Sequence, residues 1–225
     1  MKSFKKLTPQ AVAALLAAAA IVGLRPPAAA SASGTRAPEA ESVPIADSGS
    51  IRGTATFSSP RPKQPIIAWL QRDGGEAPFS PPAPLTIRQR GARFDPSFAV
   101  VVTGQDVVFE NDEDREIDHN VYSLGAEEIN LGIFPPKKSR VHTFSTPGEV
   151  SLYCSVHKLM DGKLFVAPSP AFAEIGEDGS FSIAGVPAGT YTLRTWQKAR
   201  RFRDVETRVT VSAGAETAVA VEMKR

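Results

Sequence analysis

Cysteine occurs once in the 225 residues, as Cys154. A single cysteine excludes an intramolecular disulfide framework. Histidine occurs three times, as His119, His142 and His157, and methionine three times, as Met1, Met160 and Met223. Any site built from these residue types therefore has few candidates. Acidic residues are absent from the first 32 positions, where Lys2, Lys5, Lys6 and Arg25 lie. With that segment set aside, the formal charge of +2 becomes 22 basic against 24 acidic side chains. No polybasic block remains, which argues against nucleic acid as a partner. The apolar run at residues 11–24 has fourteen positions, whereas a bilayer-spanning helix needs about 20. Coiled-coil heptads are missing too, and residues 125–130 are the one candidate for a short helix.

What the first 32 residues do contain is a secretory pattern. Three lysines precede the apolar run, and Ala30-Ser31-Ala32 is a small-residue cleavage site, with Ala28-Ala29-Ala30 competing. No cysteine lies directly after that run, so a lipoprotein anchor is not expected. The expected setting is the periplasm or the exterior, with residues 1–32 removed and no transmembrane span in the mature chain. There a lone cysteine is a stray reactive thiol or a metal ligand. Residues 33–48, rich in Pro, Ala, Ser and Glu, read as a disordered linker.

The remaining composition, 42% hydrophobic and 22% charged, suits a globular core. Short apolar or alternating runs at residues 51–57, 66–71, 85–89, 98–102, 106–109, 120–122, 141–144, 150–153 and 163–166 are strand-like. Turn signals such as Thr103-Gly104, Pro147-Gly148 and Asp161-Gly162 separate them. This pattern predicts an all-β sandwich or barrel. After Pro168 a second pattern follows. Residues 173–183 read as a hairpin turning at Asp178-Gly179, residues 186–189 as a turn into a strand at 190–196, and residues 205–211 and 217–223 as half-buried strands.

The lone cysteine opens the run Cys154-Ser155-Val156-His157-Lys158-Leu159-Met160. One thiolate, one imidazole and one thioether on a short loop are soft donors that select copper. A trigonal His₂Cys set with a weak axial Met needs one further imidazole. His119, 35 residues upstream of Cys154 at the start of an apolar stretch, offers it. The expected ligands are His119, Cys154, His157 and Met160, with one type 1 copper per chain. Asn120 and Ser155, each next to a ligand, are expected to link the two ligand segments by a hydrogen bond.

These motifs resemble the cupredoxins, and among them the amicyanin type with its Cys-x-x-His-x-x-Met loop. The resemblance rests on Phe109-x-Asn111, His119-Asn120-Val121, Pro147-Gly148, Tyr153-Cys154 and Gly162-Lys163-x-x-Val166, and covers about residues 84–168. It implies a Greek-key sandwich, and ligand roles for the same four residues. Val156 and Lys158 stand where amicyanin has prolines, and both changes are expected to favour Cu(I). Residues 177–183 and 186–193 resemble a carboxypeptidase-regulatory, transthyretin-like sandwich. That family opens with a Gly-x-Ile-x-Gly strand, which Gly49-Ser-Ile-Arg-Gly53 matches ahead of the copper segment. The expected organisation is residues 84–168 inserted into a transthyretin-like sandwich made of residues 49–72 and 172–225. A tandem arrangement is the alternative. Such pairs occur in proteins labelled methylamine-utilisation.

The expected function is single-electron transport between redox partners, such as a c-type cytochrome or a dehydrogenase, rather than catalysis. The alternative is a copper-binding or delivery module without a redox chain. Cys154 and His157 could mimic a nucleophile and base, but that leaves Met160 unexplained. His142 is expected to be a satisfied boundary histidine. Glu110, Asp112, Glu113, Asp114, Glu116 and Asp118 read as a solvated acidic loop, or as a docking surface for a basic partner. Lys137, Lys138, Arg140 and Lys158 supply the opposite sign, so these charges do not fix the partner's.

Overall fold

The computed structural model describes residues 47–75, 79 and 82–225. The expected secretory segment and nearly all of the expected linker lie outside the described residues. The fold is all-β, as the short-strand pattern requires, and the described residues contain no helix. The expected short helix at 125–130 is instead an irregular connection. Ser123 Oγ donates to Glu127 O at 2.6 Å and accepts from the Ile129 N–H at 3.0 Å, which closes the turn without helical bonds.

The chain begins with β1 (Ser48–Phe57), which takes in the last residue of the expected linker, and β2 (Ile66–Arg72). It continues through β3 (Leu85–Gln89), β4 (Phe94–Asp95), β5 (Phe98–Val102), β6 (Asp106–Asn111), β7 (His119–Gly125), β8 (Asn130–Phe134), β9 (Ser139–Thr143), β10 (Gly148–Tyr153) and β11 (Asp161–Ala167). It ends with β12 (Phe172–Glu174), β13 (Ser180–Pro187), β14 (Gly189–Gln197), β15 (Glu206–Val211) and β16 (Glu216–Met223).

Strands β3 to β11 form an inner sandwich with sheet orders β5-β11-β10-β7-β8 and β4-β3-β6-β9. Its core draws Val101, Val121, Leu152 and Leu164 from one sheet and Ile87, Val107 and Phe109 from the other. Parallel pairs β3 with β6 and β5 with β11 require the chain to cross between sheets rather than fold back as hairpins.

The remaining strands form an outer sandwich, with orders β13-β1-β16 and β12-β2-β14-β15. The chain thus starts the outer sandwich, leaves after β2 to build the inner one, and returns at β12. In β1 the alternation buries Ile51, Gly53 and Ala55. A Cβ on Gly53 would fall 1.9 Å from Phe181 Cζ, so only glycine lets that ring lie flat on the strand. The expected hairpin at 173–183 is a crossover. β12 pairs with β2, and β13 pairs with β1 in the other sheet. The Asp178-Gly179 turn itself is present. Asp178 Oδ1 accepts from the Ser180 N–H, and Gly179 has φ +86°, which glycine adopts freely.

Two strands carry unbroken apolar runs because both of their faces are covered. On β2, Ile66, Ala68 and Leu70 enter the outer core while Ile67 and Trp69 face the other way. On β11, Leu164 and Val166 enter the inner core while Phe165 and Ala167 face outward. The outward residues meet in a third cluster that joins the sandwiches. There Trp196 stacks on Phe165 at 4.7 Å and on Phe98 at 5.8 Å between ring centroids.

Candidate metal centre

His119 is the first residue of β7, and Cys154 follows the last residue of β10. The two strands pair antiparallel with Tyr122 opposite Tyr153, so the register alone brings the residues flanking His119 beside Cys154. From Cys154 the chain turns over residues 155–160 and enters β11. Two backbone bonds close this loop. Cys154 N–H donates to Met160 O at 3.3 Å, and Met160 N–H donates to His157 O at 3.1 Å. The loop is short because it must connect neighbouring strands of one sheet, and that shortness gathers its three donor side chains.

Nδ1 of His119 lies 3.8 Å from Cys154 Sγ, and Nδ1 of His157 lies 3.7 Å from the same sulfur. One donor atom from each of His119, Cys154 and His157 falls within 4.8 Å of the others. The two imidazole centroids are 4.7 Å apart. Met160 is 2% exposed and sits in the same apolar cluster as Cys154. His119 is fully enclosed, while His157 keeps part of its ring accessible. This triangle of one sulfur and two nitrogens, on a loop that ends at the buried Met160, fits a soft or borderline ion such as copper.

Partners outside the triangle hold it in shape. The Asn120 N–H points at Cys154 Sγ at 3.4 Å, a donor that stabilises thiolate charge. Asn120 Oδ1 accepts from the Ser155 N–H at 3.3 Å, while its Nδ2 donates to Asn130 Oδ1 and Gly132 O, each at 3.0 Å. Asn120 therefore ties three segments together. The link to Ser155 runs through the Ser155 backbone. Gln89 Nε2 in turn donates to the Asn120 carbonyl at 3.2 Å.

Glu113 is the residue that sequence reasoning missed. It sits in the acidic loop, yet it is only 7% exposed, and its Oε1 lies 3.1 Å from His119 Nε2. The Gly91 N–H donates to the same oxygen at 2.6 Å. Burial pushes this carboxyl up, but the bonds from His119 and Gly91 outweigh it, so it lies below the ordinary carboxylate range. Burial pulls His119 below the usual histidine value, against the pull of Glu113. Near neutral pH an ionised carboxylate thus faces a neutral imidazole.

The other acids of that loop remain at the surface. Asp112 and Asp114 share Lys137, at 3.0 and 3.1 Å, and both also meet Arg90. Such exposed pairs contribute little to stability. His142 joins no donor group. Its Nε2 lies 2.6 Å from Glu127 Oε1, away from the triangle.

A family model described as polysaccharide lyase family 4, domain II, matches residues 172–219, within the outer sandwich. The expectation for that region is a transthyretin-like domain, and the matched description differs from it. No curated protein matches the chain. Among solved structures, a purple cupredoxin from Nitrosopumilus maritimus is 21% identical, covering 37% of this chain and 99% of that one, with a TM-score of 0.32. An oxidised amicyanin mutant is 21% identical over 36% of this chain and 80% of that one, with a TM-score of 0.33. A copper-containing nitrite reductase from Thermus scotoductus SA-01 is 23% identical over 51% of this chain, with a TM-score of 0.37, and the match spans 28% of that enzyme.

Proposed function

We propose that this chain is an exported type 1 copper protein that carries single electrons between redox proteins. The observation that supports this reading is the convergence of His119 Nδ1, Cys154 Sγ and His157 Nδ1 beside the buried Met160. Bound copper would supply a one-electron couple between Cu(II) and Cu(I).

The residues would divide the work. Cys154, His119 and His157 would hold one ion per chain as strong ligands, and Met160 would add a weak thioether donor. His119 closes the inner side against water. The accessible ring of His157 offers the edge through which an electron enters and leaves. Leu159, 92% exposed, and Val156 flank that edge with apolar surface, and Lys158 adds a positive charge. Such a surface suits brief contact with a redox protein such as a c-type cytochrome or a dehydrogenase. The lysine-rich start and the Ala30-Ser31-Ala32 site support a periplasmic or secreted setting. Among the described residues no helix is long and apolar enough to cross a membrane. The chain carries electrons and does not itself transform a substrate.

Titrating the metal-free protein with Cu(II) tests the reading. An intense visible thiolate-to-copper band should saturate at one ion per chain, and Cys154→Ser should abolish it. A colourless, weakly held adduct in the wild type would overturn the proposal.

A further inference from the structure

We infer that Glu113 is the positioning residue of the centre: it fixes which nitrogen of His119 faces the metal, and its buried charge biases the site toward the oxidised ion. The inference rests on the copper reading above.

The geometry starts with Asn111, fully buried at the end of β6. Its Nδ2 donates to Ile117 O at 2.9 Å and to Phe134 O at 3.1 Å, and its Oδ1 accepts from the Glu113 N–H at 3.2 Å. These bonds pull the acidic loop over the mouth of the strands. Glu113 then points inward, while Asp112 and Asp114, its neighbours on both sides, pair with Arg90 and Lys137. Inside, Glu113 Oε1 meets His119 Nε2 at 3.1 Å and the Gly91 N–H at 2.6 Å. An ionised carboxylate can only accept. It therefore holds the proton of the imidazole on Nε2 and leaves the lone pair on Nδ1, the nitrogen that faces Cys154 Sγ. A histidine held this way by a carboxylate is fixed in tautomer and ring angle, and is more basic toward a metal.

The charge count adds a second consequence. Cu(II), the Cys154 thiolate and the Glu113 carboxylate sum to zero. Reduction to Cu(I) leaves one net negative charge in a site where His119 is 0% and Cys154 4% exposed. A dry site penalises uncompensated charge. Glu113 thus opposes the bias toward Cu(I) expected from Val156 and Lys158.

Two variants separate the effects. Glu113→Gln keeps a carbonyl oxygen within reach of both donors but removes the charge. It should keep the visible band and raise the reduction potential. Glu113→Leu removes charge and acceptor, and should weaken Cu(II) binding about ten- to a hundredfold. Thermal unfolding of both metal-free variants checks that they fold. Nitrogen-15 NMR of the metal-free protein gives a readout that needs no copper. His119 should carry its proton on Nε2 in the wild type and lose that preference in Glu113→Leu. If a folded Glu113→Gln leaves the potential unchanged, the charge role fails. If a folded Glu113→Leu keeps the His119 tautomer and the wild-type copper affinity, the positioning role fails. If the wild type binds no copper as a coloured centre but the tautomer result holds, the copper reading fails while the positioning of His119 stands.

Discussion

His119 enters the centre from the first residue of a strand and is fully enclosed, whereas His157 stands on a short loop and keeps part of its ring in solvent. The first is oriented by a buried carboxylate and by a strand bonded on both sides. The second is set by two backbone bonds within its own loop and has apolar neighbours exposed beside it. One histidine is therefore built to keep its place, and the other to be reached. The difference teaches how a single centre can be both rigid and accessible: the enclosed side fixes geometry, and the open side provides contact.

Replacing each histidine by glycine should break the comparison most sharply. Both changes remove a proposed strong donor and should abolish the wild-type band. Added imidazole should restore colour in His157→Gly, because that opening faces solvent, and should fail in His119→Gly, because that cavity is sealed. Absorption titration with imidazole reads the result, and equal rescue of both would refute the assigned asymmetry.

A third histidine extends the comparison to stability. His142 also faces a carboxylate, but the Glu127–His142 pair lies outside the donor triangle. Burial pushes the Glu127 carboxyl up. The bonds from His142 and from the Ser145 and Thr146 amides pull it down more strongly, to about 2 against an ordinary 4.5. A carboxyl depressed in the folded state adds stability that is complete above its unfolded value. That stability is lost as pH falls from about 4.5 toward 2, and the loss amounts to up to about 3 kcal/mol. Glu127→Gln should lower stability at pH 7 and flatten its fall between those pH values. Chemical denaturation across the acid range checks this, and an unchanged slope would remove Glu127 from the account.

Met160 offers a finer adjustment on the enclosed side. Replacing it with Gln offers a harder oxygen and should lower the potential. Replacing it with Leu would remove the proposed thioether donor and should raise it. The visible band should survive both, since in the proposed centre it comes from the Cys154 thiolate. Voltammetry decides, and shifts of the same sign would deny Met160 the axial role. The smallest effect belongs to the open side. Lys158 is solvated, so Lys158→Glu should alter the rate of electron exchange with a charged redox partner, and the change should shrink as salt rises. A change that is independent of salt would place Lys158 in the site's chemistry rather than at its docking edge.

Much of the centre was legible because three of its candidate donors are local. Cys154, His157 and Met160 lie within seven residues, and a loop joining neighbouring strands has no means of separating them. The β-rich character was legible for the same local reason, since alternation and turn residues act over a few positions. The segment around Asp178-Gly179 marks where this stops. Its turn chemistry makes the chain reverse, but β12 and β13 then join different sheets. Which sheet a strand joins depends on partners more than a hundred residues away. The runs on β2 and β11 were visible as strands, while their two-sided burial required a second sandwich to cover the outer face.

By itself the sequence determined an acid-free, lysine-led apolar start, a chain of short strands, and a thiol, imidazole and thioether at a spacing suited to one ion. All three follow from the chemistry of neighbouring residues. Only the tertiary structure decided that His119 is enclosed and that Glu113 turns inward. Glu113 stands between Asp112 and Asp114 with nothing in its local sequence to set it apart. Its burial comes from Asn111 folding the loop and from His119 and Gly91 offering donors, and those groups meet only when separate strands pack together.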